Sequence, residues 1–236
     1  VYYLVMVQGW PVWLGGLAAI AGGVLLGLAM HLLIITPILK SPPVNQLLAT
    51  GGVLFFVQSF ATFLWSTDHK SVRLTLPILE WGGMFVSFAR LIAFVIAILA
   101  MLGLYLFLTR TWIGTAIRAV AQDREAMSLM GASPQRVYLV TSAVGGAMAG
   151  LAAALLSIQY SVHPFFGAAF GPITFMICVL GGLGNMVGAF IASFIMSEII
   201  SIGGVTWSTE MGYVIAFVLF IVMMFARPGG ILAKRE

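Results

Sequence analysis

Charged residues interrupt this chain so seldom that the intervals between them measure its architecture. Charge-free stretches run over residues 1–39, 41–67, 91–109, 137–197 and 211–226. A membrane-spanning helix needs about 20 consecutive apolar residues. The first stretch is broken at Gly9-Trp10-Pro11, so Val1–Gln8 reads as the tail of an earlier element and a span fits 12–36. Further spans fit 44–65 and 89–109. The stretch 137–197 is punctuated at His163-Pro164, at Gly171-Pro172 and at Gly181-Gly182-Leu183-Gly184-Asn185. Dividing it there predicts helices at 137–158, about 165–183 and about 187–202, and a last helix fits 212–226. The expected fold is therefore all-α: a polytopic membrane protein of about six to eight spans, in one transmembrane domain over 1–236.

Composition agrees. Charged residues make up 8% of the chain, where a soluble domain carries about 25%. Mean hydropathy is +1.11. A soluble globule and a disordered chain are both excluded. The single cysteine, Cys178, leaves no internal disulfide and no cysteine-based metal site. The net charge of +4 belongs to cytoplasmic loops in such a protein and does not point to nucleic acid. Val1 stands inside apolar sequence without a basic n-region, so no signal peptide is expected, and the natural N-terminus is expected to precede this numbering.

Orientation follows from Lys and Arg. Residues 110–136 carry Arg110, Arg118, Arg124 and Arg136, and the C-terminus carries Arg227, Lys234 and Arg235, so both should be cytoplasmic. The turn Lys40-Ser41-Pro42-Pro43 is then internal, and 66–88, with Lys70 and Arg73 balanced by Asp68 and Glu80, is external. An even number of crossings must separate Arg136 from Arg227. Four crossings satisfy this, and so do two crossings plus a re-entrant hairpin folded at Gly181–Asn185.

Residues 110–136 are the one extended polar segment expected inside. Asp123 is placed to N-cap a short helix in which Ala126, Leu129 and Met130 form an apolar stripe. Gly131 is placed for a left-handed C-terminal cap, and Ser133-Pro134 reads as N-cap and first residue of the next span. The helix lies outside the hydrocarbon. It packs on lipid, on its own bundle, or on a partner, and geometry alone leaves these open.

The segment Glu125-Ala126-Met127, followed after three residues by Gly131, resembles the Glu-Ala-Ala-x-x-x-Gly coupling motif of bacterial ABC importer permeases. The string GTAIRAVAQDREAMSLMGASPQRV, the small-residue helix SAVGGAMAGLAAAL, the segment VLGGLGNMVGAFIASFI and the ending FARPGGIL are similar to the branched-chain amino acid permease family. The likeness covers 110–236 well and 12–109 only through span placement. The Asn-Phe-Ala-His-Gly stretch near the start of family members is absent. The resemblance implies a bacterial inner-membrane permease with a cytoplasmic C-terminus. Its partners would be two cytoplasmic ATPase subunits that use ATP, a second related permease or a second copy, and a periplasmic solute-binding protein. By matching position, Arg118, Asp123, Glu125, Ala126 and Gly131 would form the ATPase-docking element. Small Ala126 and Gly131 permit close approach, and Arg118, Arg124 and Glu125 can orient docking by charge. The implied cargo is a branched-chain amino acid or another small polar solute, with urea and amides left open.

No Gly-x-x-x-x-Gly-Lys-Ser/Thr pattern occurs, so this chain is not expected to bind ATP that way or to hold a cofactor. Neither a serine-nucleophile motif nor a His-Glu-x-x-His metal motif is present, and an enzyme is not expected. The rival reading is an ion-coupled carrier or channel without an ATPase, which would have no need of the 110–136 helix. Glycines recur four apart at Gly23/Gly27, Gly146/Gly150, Gly167/Gly171 and Gly184/Gly188, and the Gly146/Gly150 pair, set among alanines, is the best candidate for close helix packing. The break Gly181, Gly182, Gly184, Asn185 offers either backbone groups to an uncharged part of a solute or a plain tight turn; Gln58 is a weaker pathway candidate. Glu198 reads as a helix-terminal group or as a pathway or subunit contact. His31 and His163, without acidic neighbours in sequence, read as structural.

Overall fold

The computed structural model describes the chain apart from residues 40, 73–77, 82–83, 124–132, 183, 228 and 231–236. It forms two compact units, Val1–Pro164 and Phe165–Glu236. Among the described residues six helices are long and apolar enough to cross a membrane, and the all-α polytopic expectation holds.

In the first unit, α1 runs from Val12 to Ile38 with a π-helical turn at His31–Ile35. Pro37 supplies the cause: it lacks the N–H that an α-helix would use, and its ring crowds the carbonyl four residues earlier. The Thr36 hydroxyl donates to the His31 carbonyl at 2.8 Å across the widened turn. α2 covers Pro43–Trp65, and its leading proline occupies a position where a missing N–H costs nothing. α3 covers Phe88–Arg110, α4 Trp112–Gln122 and α5 Pro134–Gln159. Within the expected external loop lies an antiparallel hairpin, β1 Ile78–Trp81 with β2 Met84–Ser87, paired from Ile78↔Ser87 to Trp81↔Met84. Lys70 and Val162 exchange backbone hydrogen bonds of 3.0 and 2.8 Å, tying that loop to the segment after α5.

The tightest packing in this unit is α1 against α5, and glycine makes it possible. A methyl group at Gly23 would strike the Gly146 carbonyl, one at Gly27 the Ser142 carbonyl, and one at Gly150 the Ala19 carbonyl. The register is antiparallel, and the two glycine pairs mesh backbone to backbone. Gly145, Gly167 and Gly171 face open space.

In the second unit, a 3₁₀ turn at Phe166–Phe170 leads into α6, Gly171–Gly181, whose first turn contains Pro172. Together they form a short apolar helix over Phe166–Gly181. α7 covers Met186–Thr206 and α8 Thr209–Ala226. α7 continues past the expected end near 202 because Gly203 docks against Gly212 of α8 and Thr206 bonds back to the Ile202 carbonyl at 2.8 Å. The core is Met176, Leu180, Ala192, Met196 and Ala216, with Ala192, Met196 and Ala216 wholly buried. The end of α6, the start of α7 and the end of α8 meet at one end of the unit, where a methyl at Gly230 would stand 2.6 Å from the Gly182 nitrogen.

Candidate functional site

The polar segment after α3 opens on a sharp corner. Thr111 caps α4, its hydroxyl oxygen accepting from the Gly114 N–H at 3.0 Å and its hydroxyl donating to the Phe107 carbonyl at 2.6 Å. Gly114 is buried against the Phe107 and Leu108 carbonyls, and any side chain there would force the corner open. Ala116, Ile117 and Val120 lie on one face of α4 and pack against Val137 and Tyr138 at the start of α5. Thr115, Arg118 and Gln122 lie outward on the other face, and Arg118 donates to the Thr115 hydroxyl at 3.4 Å. α4 is thus an amphipathic helix seated on its own bundle, its polar face free for another surface.

This helix precedes the position that the sequence pattern predicts. Asp123, expected to start a helix, terminates one: its N–H bonds the Ala119 carbonyl at 3.0 Å, and its backbone is extended. An extended Asp123 has the conformation of an N-cap for whatever follows. Arg124, Glu125, Ala126 and Gly131 lie outside the described residues. Ser133 occupies the N-cap position of α5 with Pro134 behind it, but its hydroxyl makes no capping bond. The sequence does carry a signal for α4: a Thr cap, then apolar positions at 116, 117 and 120.

The glycine-rich break is a closed turn. Gly182 and Gly184 adopt φ of +91° and +86°, which glycine alone enters without cost. The Gly182 N–H bonds the Val179 carbonyl at 3.1 Å and the Asn185 N–H bonds the Gly182 carbonyl at 3.0 Å. The Asn185 side chain caps α7 by accepting from the Gly188 N–H at 3.0 Å. Gly181 and Gly182 are buried. The Gly182 N–H and carbonyl and the Asn185 N–H are thereby engaged in local hydrogen bonds. Gln58 is buried in α2.

His31 is 4% exposed and sits at the head of the π turn. Its Nδ1 lies 3.1 Å from the Ser142 hydroxyl, and its ring lies 6.3 Å from that of Tyr138. A cavity of about 240 Å³ adjoins them, lined by Leu32, Thr36, Gln135 and Leu139 among others. The His163 ring lies 4.8 Å from that of His69, tilted by 35°. Among the described residues no three His, Cys, Asp or Glu side chains gather as metal ligands.

A family model described as the permease component of branched-chain amino acid transport systems matches residues 1–224. The chain is 30% identical over 197 residues to the high-affinity branched-chain amino acid transport permease BraD of Pseudomonas aeruginosa, covering 80% of this chain and 64% of that one. It is 31% identical to LivH of Salmonella typhimurium, covering 85% and 67%. It is also 26% identical to the guanosine ABC transporter permease NupP of Bacillus subtilis, over 66% of this chain and 46% of that protein. The chain therefore spans about two thirds of the length of the branched-chain relatives. No solved structure matches it.

Proposed function

Because the chain belongs to the family of permease components of branched-chain amino acid transport systems, we propose that it forms part of the translocation pathway of a bacterial ABC importer. The cargo is a branched-chain amino acid or a similar small polar solute. The observation that carries this reading, beside the family, is α4. A helix whose apolar face is already buried on its own bundle, and whose polar face is outward, can receive force without being deformed. A loose loop in its place would absorb the motion.

ATP is hydrolysed by two cytoplasmic ATPase subunits, which bear on the region from α4 through Gly131. The segment 110–136 and the C-terminus lie on the cytoplasmic side of the inner membrane. A second permease chain completes the pathway, and a periplasmic binding protein delivers the solute. Within this scheme Arg118, Asp123, Arg124 and Glu125 steer docking by charge, and Ala126 and Gly131 allow close approach.

Co-purification with the ATPase tests the scheme, alongside uptake into vesicles. Glu125→Lys reverses a docking charge, and Gly131→Asp places a side chain where the sequence pattern calls for a left-handed cap, at a cost of about 1 kcal/mol. Both variants should insert normally, lose most of the ATPase on purification and lose most uptake. Normal association and normal uptake in both would refute the docking role and favour a carrier that works without an ATPase.

A further inference from the structure

The extension of α7 to Thr206 changes the position of Glu198. At 1.5 Å per residue it stands roughly 18 Å from Met186 and roughly 12 Å from Thr206, close to the middle of an apolar span. It is not a helix-terminal group. A carboxylate at that depth is costly unless it faces water, a cation or another protein chain. Glu198 lies on the exposed side of α7, away from the face that buries Ala192, Met196 and Gly203.

Two serines lie beside it on the same helix. Thr50, Thr62, Thr141, Ser157 and Ser193 each donate their hydroxyl to a backbone carbonyl about one turn earlier, whereas the exposed Ser59 and Thr174 do not. Ser197 and Ser201, exposed beside Glu198, make no such bond, and Glu198 makes no ion pair or hydrogen bond with any described residue. Between residues 137 and 226 the sequence contains no Lys or Arg, and the only other charge is Glu210, so the stretch holds no basic counter-ion.

We propose that Ser197, Glu198 and Ser201 form a subsite that receives the primary ammonium group of the transported solute. An ammonium carries three N–H donors and no acceptor. One carboxylate and two hydroxyl oxygens on adjacent turns supply a matching set of acceptors and the opposite charge. The inference rests on the importer reading and narrows its substrate class. The cargo is an amino acid with a free ammonium, and neutral amides, urea and nucleosides lack the group this surface is built to hold.

Two measurements test it. First, the full complex carrying Glu198→Gln is reconstituted in ATP-loaded vesicles and leucine uptake is measured. We expect a fall of about tenfold or more, since a charge-assisted bond is replaced by a neutral one, and partial retention in Glu198→Asp. Second, Ser201→Cys, which leaves Glu198 in place, is made in a Cys178→Ala background, because Cys178 is exposed. The introduced thiol should react with a membrane-impermeant methanethiosulfonate, and leucine should slow the reaction. Unchanged leucine uptake in Glu198→Gln would overturn the proposal. So would an introduced thiol that reacts only with a lipid-soluble maleimide, because the position would then face acyl chains. Loss of the second permease from the Glu198→Gln complex would overturn it in favour of a subunit contact. Failure of the ATPase to accompany the wild-type chain would refute the importer reading alone, and the thiol measurement would then decide the subsite by itself.

Discussion

Gly145 and Gly146 are adjacent on α5, and the same added methyl should move stability in opposite directions at the two positions. At Gly146 the methyl would enter the Gly23 carbonyl group, standing 2.9 Å from its carbon, and would lie 3.2 Å from the Gly27 Cα. Carbon contacts are best at about 3.5–4.0 Å. The helices would have to part by roughly 0.5–1 Å, and such a gap forfeits a quarter to a half of each dispersion contact along the seam. Overpacking of this kind costs about 1–3 kcal/mol. The upper half of that range applies because every opposing atom is backbone and none can rotate away. Alanine's higher helix propensity returns about 1 kcal/mol. The net expectation for Gly146→Ala is a loss of about 1–2 kcal/mol. At Gly145 nothing lies within 4 Å, so only the propensity remains and Gly145→Ala should gain about 0.5–1 kcal/mol. Equilibrium unfolding of the two variants in the same bicelles measures both. Equal stabilities would show that Gly146 is not held against Gly23, and the α1–α5 register would be refuted.

Asn185→Ala removes the side-chain cap of α7 and should cost about 0.5–2 kcal/mol, whereas Asn185→Asp or Asn185→Ser should keep most of it, as read by thermal unfolding. Ser142→Ala leaves the buried His31 ring without its hydroxyl partner and should cost about 1–3 kcal/mol. The double variant Ser142→Ala with His31→Leu should recover part of that loss in the same assay, and strict additivity would contradict the pairing.

The starts and ends of α1, α2, α3, α5 and α8 fall within a few residues of the limits set by charges, prolines and length, because a chain segment enters a membrane on its own hydropathy and satisfies its backbone bonds within itself. Nothing local marks the end of α7, so the sequence pattern stops it short; the helix is carried on by the contact of Gly203 with Gly212 on another helix. α4 is hidden for a different reason. Only one charge, Arg118, falls between Thr111 and Gln122, so by hydropathy the segment merges with the span before it; the Thr111 cap and the apolar positions at 116, 117 and 120 do signal a helix, but which surface that face covers is decided only by the packing of Ala116 and Val120 against Val137.

Four glycine pairs are visible in the sequence, but which of them pack is not. Gly23 and Gly27 meet Gly146 and Gly150, while Gly167 and Gly171 touch nothing, and the difference lies in how two distant helices are rotated about their axes. The same holds for Glu198: that it is a carboxylate amid apolar residues is a property of the sequence, but its depth in α7 and its outward direction are set by packing on the opposite face. Spanning is decided by a segment's own transfer free energy, and a sequence states that directly. Pairing, facing and depth depend on surfaces brought together from far apart in the chain, and only the tertiary structure decides them.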